Sequence, residues 1–153
     1  GRLLNVPVCT LSLETPVADF NKMTDYDIMV VDVTAMPDEA SQKIAAIKAH
    51  VGTKDTGIIA TIPGSTSRAM IELTMQRFTD LAPMIALTKL DECETTANEF
   101  SAYVEQGALI SILSGTKSVI GASIFASENI LLQYLKENFS NHEAIMPTGT
   151  GLE

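Results

Sequence analysis

Thr88, Lys89 and Asp91 stand together in the run Thr88-Lys89-Leu90-Asp91-Glu92, directly after the apolar stretch Ala82-Pro83-Met84-Ile85-Ala86-Leu87. A buried strand that delivers a lysine and an aspartate to its C-terminal tip is one way for an open parallel sheet to build a nucleotide site. Three further strand ends carry polar residues: Asp32-Val33-Thr34-Ala35, Thr61-Ile62-Pro63-Gly64 and Ser114-Gly115-Thr116-Lys117. Nucleophilic chemistry has less support. Ser65, Ser114 and Cys93 lack a partner constellation, because the two histidines, His50 and His142, read as a helix-end residue and a tail residue.

Such a site needs a sheet to hold it, and the apolar pattern supplies one. Runs at 6–13, 28–33, 58–62, 82–87 and 108–113 read as strands, and the continuous run Ile28-Met29-Val30-Val31-Asp32-Val33 suggests a strand covered on both faces. Between them lie helical periodicities. Pro37-Asp38-Glu39 starts a helix with Ala40, Ile44, Ile47 and Val51 on one face and Gly52 at its end. Ile71, Met75, Phe78 and Leu81 mark the next. Ala97, Phe100 and Val104 mark another, closed by Gly107, and Ser127 caps a last helix bearing Ile130, Leu131, Tyr134 and Leu135. Repeated strand–helix alternation predicts a three-layer α/β/α fold with a mostly parallel sheet of about five strands. One domain is expected over 1–139, then a flexible tail over 140–153 in which Leu152-Glu153 reads as a tag remnant.

Composition narrows the function classes. With 46% hydrophobic and 19% charged residues the chain is globular. A formal net charge of -9 argues against a nucleic-acid-binding face or a polybasic membrane anchor, which need clustered Lys and Arg. No apolar run reaches the roughly 18–20 residues of a membrane span. Cys9 and Cys93 form no metal or redox motif, so free thiols in a reducing, cytoplasmic setting are expected.

The Thr88-Lys89-Leu90-Asp91-Glu92 run resembles the guanine-specificity motif of the signal-recognition-particle family of GTPases. Other features follow in matching order. Tyr26-Asp27-Ile28-Met29-Val30-Val31-Asp32 resembles the strand that ends in the family's Asp-Thr-Ala-Gly motif. Ser114-Gly115-Thr116-Lys117 lies where the family has a second base-side loop. The opening Arg2-Leu3-Leu4-Asn5-Val6-Pro7-Val8 is most similar to the flagellar-assembly member. The resemblance spans about residues 2–139. It implies a P-loop NTPase-like fold and binding of GTP or GDP through Thr88, Lys89, Asp91, Ser114, Gly115 and Thr116. It also implies a Mg²⁺ contribution from Asp32, and a role in protein targeting or flagellar assembly. Asp91 would accept two hydrogen bonds from the guanine ring N–H and amino group. The Lys89 stem would lie along the base.

The departures are as informative. These residues contain no Gly-x-x-x-x-Gly-Lys-Ser/Thr phosphate loop, and the short loop Pro63-Gly64-Ser65-Thr66-Ser67 reads as a strand-to-helix turn. Ala35 stands where the family has the glycine of Asp-Thr-Ala-Gly, and Ala97 where it has a glycine after the guanine motif. The expected domain therefore lacks the first strand and phosphate loop of the family and does not hydrolyse GTP alone, because phosphoryl transfer depends on positioning and neutralising the phosphates. A degenerate member would act through protein partners or as a homodimer, with a membrane-associated partner in the targeting role and no nucleic acid. A receiver domain, with Asp32 as phosphoacceptor and Thr61 and Lys89 as switch residues, is the competing reading. No adjacent carboxylates precede Asp32 to complete its Mg²⁺ site.

Overall fold

The computed structural model describes residues 6, 8, 10, 26–35, 37–51, 56–93, 95–115 and 123–143. The chain divides into two compact units, Gly1–Thr56 and Gly57–Glu153. In the first, helix α1 spans Pro37–Val51, with Asp38 and Glu39 in its first turn. Those acids complement the positive end of the helix dipole. Glu39 also pairs with Lys43 one turn on, at 2.6 Å. Ala40 is buried, and Ile44 and Ile47 are half-buried on the same face.

The second unit alternates strictly at first: β1 (Ile59–Pro63), α2 (Arg68–Arg77), a 3₁₀ turn (Thr79–Leu81), β2 (Met84–Thr88), α3 (Ala97–Glu105) and β3 (Leu109–Ser114). A short β4 (Ser123–Phe125) and α4 (Glu128–Glu143) follow. The sheet order is β1-β2-β3-β4. The first three strands are parallel and β4 returns antiparallel. The fold is thus α/β with a mostly parallel sheet, of four strands among the described residues.

Two expectations about the elements change, and one element is new. The run at 28–33 forms no ladder among the described residues. Its side chains alternate between exposed and half-buried, with Ile28 81% and Val30 90% exposed, so it is not covered on both faces. Apolar, β-branched composition favours extended backbone, but a strand exists only where a neighbour takes up its N–H and C=O groups. The strand expected at 6–13 lies outside the described residues except at 6, 8 and 10. β4 was not legible, because three residues, Ser-Ile-Phe, are too short to show a period. The last helix continues to Glu143, beyond the expected start of the tail at 140.

The core joins one sheet face to three helices. Ile62, Leu87 and Leu113 occupy one register row across β1, β2 and β3. With Ile85 they form a cluster with Ile71 and Met75 of α2, Phe100, Ala102 and Tyr103 of α3, and Tyr134 of α4. The alternation in β3 is corrected by a bulge. Ile110 pairs with Ile85 and Ile112 with Ala86, leaving Ser111 without a register partner. Its hydroxyl donates to the Ile85 carbonyl at 3.2 Å instead. The extra residue places both Ile110 and Leu113 on the core side despite their odd spacing.

The helix ends follow their residue chemistry. Thr96 and Glu99 form a capping box at the start of α3. At its end Gly107 adopts φ 65°, with Gly107 N–H donating to Val104 and Ala108 N–H to Tyr103, a Schellman motif. Arg68 links α2 to α3. It pairs with Glu72 at 2.8 Å and with Glu105, and donates to the Asn98 carbonyl at 3.3 Å. Among the described residues no helix is long and apolar enough to cross a membrane.

Candidate functional site

The parallel strands end side by side, and their following loops are stitched together by backbone hydrogen bonds. After β1, Gly64 N–H donates to the Thr88 carbonyl at 2.8 Å. After β2, Leu90 N–H donates to the Ser114 carbonyl at 3.1 Å. Thr88 therefore ties neighbouring loops, as its position suggests, through its main chain. Within the turn, Glu92 N–H donates to the Lys89 carbonyl at 3.1 Å, and the Cys93 thiol donates to the same oxygen at 3.1 Å.

Lys89 occupies the left-handed region at φ 58°. That conformation costs a residue with a β-carbon on the order of 1 kcal/mol. The turn keeps it because Leu90 must enter the core, where it is 3% exposed, while Lys89 and Asp91 on either side stay in solvent. The Lys89 ammonium lies 3.8 Å from a Glu92 carboxylate oxygen. Both side chains are well exposed, so this pair holds little energy and leaves the lysine available.

Asp91 meets the second loop at Gly115. A β-carbon on Gly115 would collide with the Asp91 carboxylate and come within 3.0 Å of Leu90 N. Gly115 also has φ 81°. The backbone conformation favours glycine there, and the Asp91 carboxylate fills the space a side chain would take. Thr88, Lys89, Asp91, Ser114 and Gly115 are thus brought to one cluster of strand-end loops. Thr116, the remaining expected base-side residue, lies outside the described residues, as does Lys117.

Asp32 belongs to the other unit. It is exposed, and the Thr34 hydroxyl donates to its Oδ1 at 3.5 Å. Among the described residues no three His, Cys, Asp or Glu side chains gather as a metal-binding group. A Mg²⁺ ion usually keeps several waters and takes one or two carboxylates plus substrate phosphates. Asp32 is a single exposed carboxylate, and a receiver-type Mg²⁺ site needs further acidic ligands beside it.

Two residues of the cluster have no assigned site role in the sequence reading, in which Gly64 stands only as part of a strand end and a turn. Thr95 is 1% exposed, and its hydroxyl donates to the Gly64 carbonyl at 3.0 Å. Gly64 is the second. A β-carbon there would lie 2.7 Å from Leu90 Cδ2 and 2.8 Å from both Cys93 Sγ and Thr95 Oγ1. The sequence signal for Gly64 was its place after a strand; for Thr95, beside the capping Thr96, there was none. Burial pushes the Cys93 thiol up from its usual pKa, opposed by the Thr95 hydroxyl and reinforced by the Glu92 and Asp91 carboxylates. Cys93 is therefore a protonated packing residue at neutral pH and a poor nucleophile.

The comparison with known proteins adds no assignment: neither the family models nor the curated proteins searched gave a match to this chain.

Proposed function

We propose that this chain is a guanine-nucleotide-binding domain related to the signal-recognition-particle GTPases, on the flagellar-assembly side of that family. It binds GDP or GTP weakly and does not hydrolyse GTP by itself. The observation that supports this reading is the apposition of Asp91 and Gly115 beside the solvent-facing Lys89. It leaves an exposed carboxylate against Gly115, a residue with no side chain, and an exposed cation beside it. A carboxylate so placed matches the two adjacent N–H donors of guanine, whereas adenine offers no such pair. On this reading the fold is a three-layer, P-loop NTPase-like domain. A strand bearing the phosphate loop would add beside β1, whose described neighbour is β2 alone. Mg²⁺ would arrive with the nucleotide, and the setting would be cytoplasmic.

Calorimetry with GDP, GTP and ATP tests the proposal. Guanine-selective binding is expected; equal binding of ATP, or none of any nucleotide, sinks it. Asp91→Asn gives a sharper outcome. The amide can accept from N1–H and donate to the 2-oxo group of xanthine, so preference should move from GDP to XDP by about tenfold or more.

A second reading, a protein-interaction module, is favoured by the sheet face opposite the core. Leu109 and Phe125 there are 63% and 81% exposed. Exposed apolar surface of this kind suits a protein partner or a second copy. Absence of nucleotide binding together with a persistent dimer in sedimentation would select it.

A further inference from the structure

We infer that Thr95 is a positioning residue for the base-recognition turn, acting through Gly64 on the backbone of Thr88. Thr95 carries a hydroxyl into the buried interior, at 1% exposure. A hydroxyl so placed must be satisfied or it costs stability. It finds its partner 31 residues away in sequence, on the loop after β1, by donating to the Gly64 carbonyl at 3.0 Å. The same Gly64 donates its N–H to the Thr88 carbonyl at 2.8 Å. Thr88 is the residue at which the strand stops and the Lys89 turn begins.

The path is short and has little slack. Gly64 is packed on its α-carbon side by Leu90, Cys93 and Thr95, close enough that no β-carbon fits. Leu90 and Cys93 are members of the turn itself. Thr95 in turn is held from its C-terminal side, because Thr96 is the N-cap of α3 and is locked by its capping box with Glu99. The clasp therefore fixes the turn between two elements, the loop after β1 and the start of α3. Lys89, at its positive φ, stands in a turn whose members Leu90 and Cys93 are packed against Gly64. Strained backbone at an exposed polar turn persists only where the surroundings over-determine it.

The nucleotide part of this inference rests on the guanine-binding proposal; the clasp itself does not. The test therefore has two readouts on the 153-residue chain. The first is amide hydrogen exchange at Gly64 and Leu90 in wild type, Thr95→Val and Thr95→Ser. Removing the hydroxyl while keeping the shape should lower protection at both amides by about tenfold, and serine should restore it to within about threefold. Unchanged protection in Thr95→Val overturns the inference whatever the nucleotide result. The second readout is affinity for a fluorescent GDP, with circular dichroism to show that each variant is folded. Weakening by about tenfold in Thr95→Val with rescue by Thr95→Ser supports positioning. Equal affinity in a Thr95→Val protein whose exchange is altered overturns it for base recognition. If wild type binds no GDP while exchange responds as expected, the guanine proposal fails and the clasp stands.

Discussion

Residues 28–35 and residues 84–91 are written in much the same way. Each is an apolar run, Ile-Met-Val-Val and Met-Ile-Ala-Leu, that ends in polar residues including an aspartate. One becomes the central strand of its sheet neighbourhood, paired on both sides, with Ile85 and Leu87 fully buried. The other pairs with nothing among the described residues and exposes Val30 at 90%. The polar tips differ in the same way. Asp91 lies against a second loop at Gly115, whereas Asp32 has the hydroxyl of Thr34, two residues on, at 3.5 Å. Local composition is therefore not what turns a polar strand end into a site. Neighbouring strands are, because their loops supply the backbone bonds that fix where each side chain stands.

The largest expected contrast between the two regions is in stability. Leu87→Ala removes a fully buried side chain at the meeting point of three strands and three helices and should cost about 2–5 kcal/mol. Urea denaturation followed by circular dichroism measures it; a cost below about 1 kcal/mol would show that the sheet core is looser than its burial.

The next effect sharpens the core side of the comparison through pH. Burial, with a smaller contribution from the Glu99 carboxylate, pushes the Tyr103 phenol up from 10.0 to about 12. Folding thus favours the neutral phenol. That contribution is whole below pH 10 and is lost as pH rises through 12, amounting to roughly 3 kcal/mol. Thermal unfolding between pH 9 and pH 12 should show a steeper loss for wild type than for Tyr103→Phe, which has no proton to lose. Parallel curves would place Tyr103 in water.

Much of this arrangement could be read in advance, and what could not has a common cause. The strand–helix alternation from Ile59 to Ser114 is local information: apolar runs of strand length, helical spacing at Ile71 and Met75, a closing glycine at Gly107. The cluster of Thr88, Lys89, Asp91, Ser114 and Gly115 followed, since parallel strands must end on the same side. The bulge at Ser111, the three-residue β4 and the Thr95–Gly64 bond were not legible. Each depends on what lies opposite in space, and a single sequence does not state that. The run at 28–33, which joins no ladder among the described residues, is the same lesson reversed. Its residues suit a strand, but no residue in the run encodes the partner.

A smaller effect tests the polar tip. Gly115→Ala must hold φ near 81° and place a methyl against the Asp91 carboxylate. Asp91 is exposed and can swing away, so the stability cost should stay near 1–2 kcal/mol. Under the guanine-binding proposal, affinity should also fall by about tenfold or more, because the displaced carboxylate would no longer meet the base. Loss of stability without loss of affinity would separate Gly115 from the site.

The smallest effect belongs to the run at 28–33. Val30→Ala removes two methyl groups from a side chain that is already 90% exposed, so it forfeits almost no buried area. The expected change in unfolding free energy is within about 0.5 kcal/mol, against several for Leu87→Ala. The same substitution in a strand covered on both faces would cost on the order of 1–3 kcal/mol, because a cavity would remain. Urea denaturation of Val30→Ala beside Leu87→Ala therefore decides between the two descriptions of this run. A cost above about 1 kcal/mol would mean that residues 28–33 are packed as a buried strand, and that the difference between the two polar tips is one of chemistry and not of neighbours.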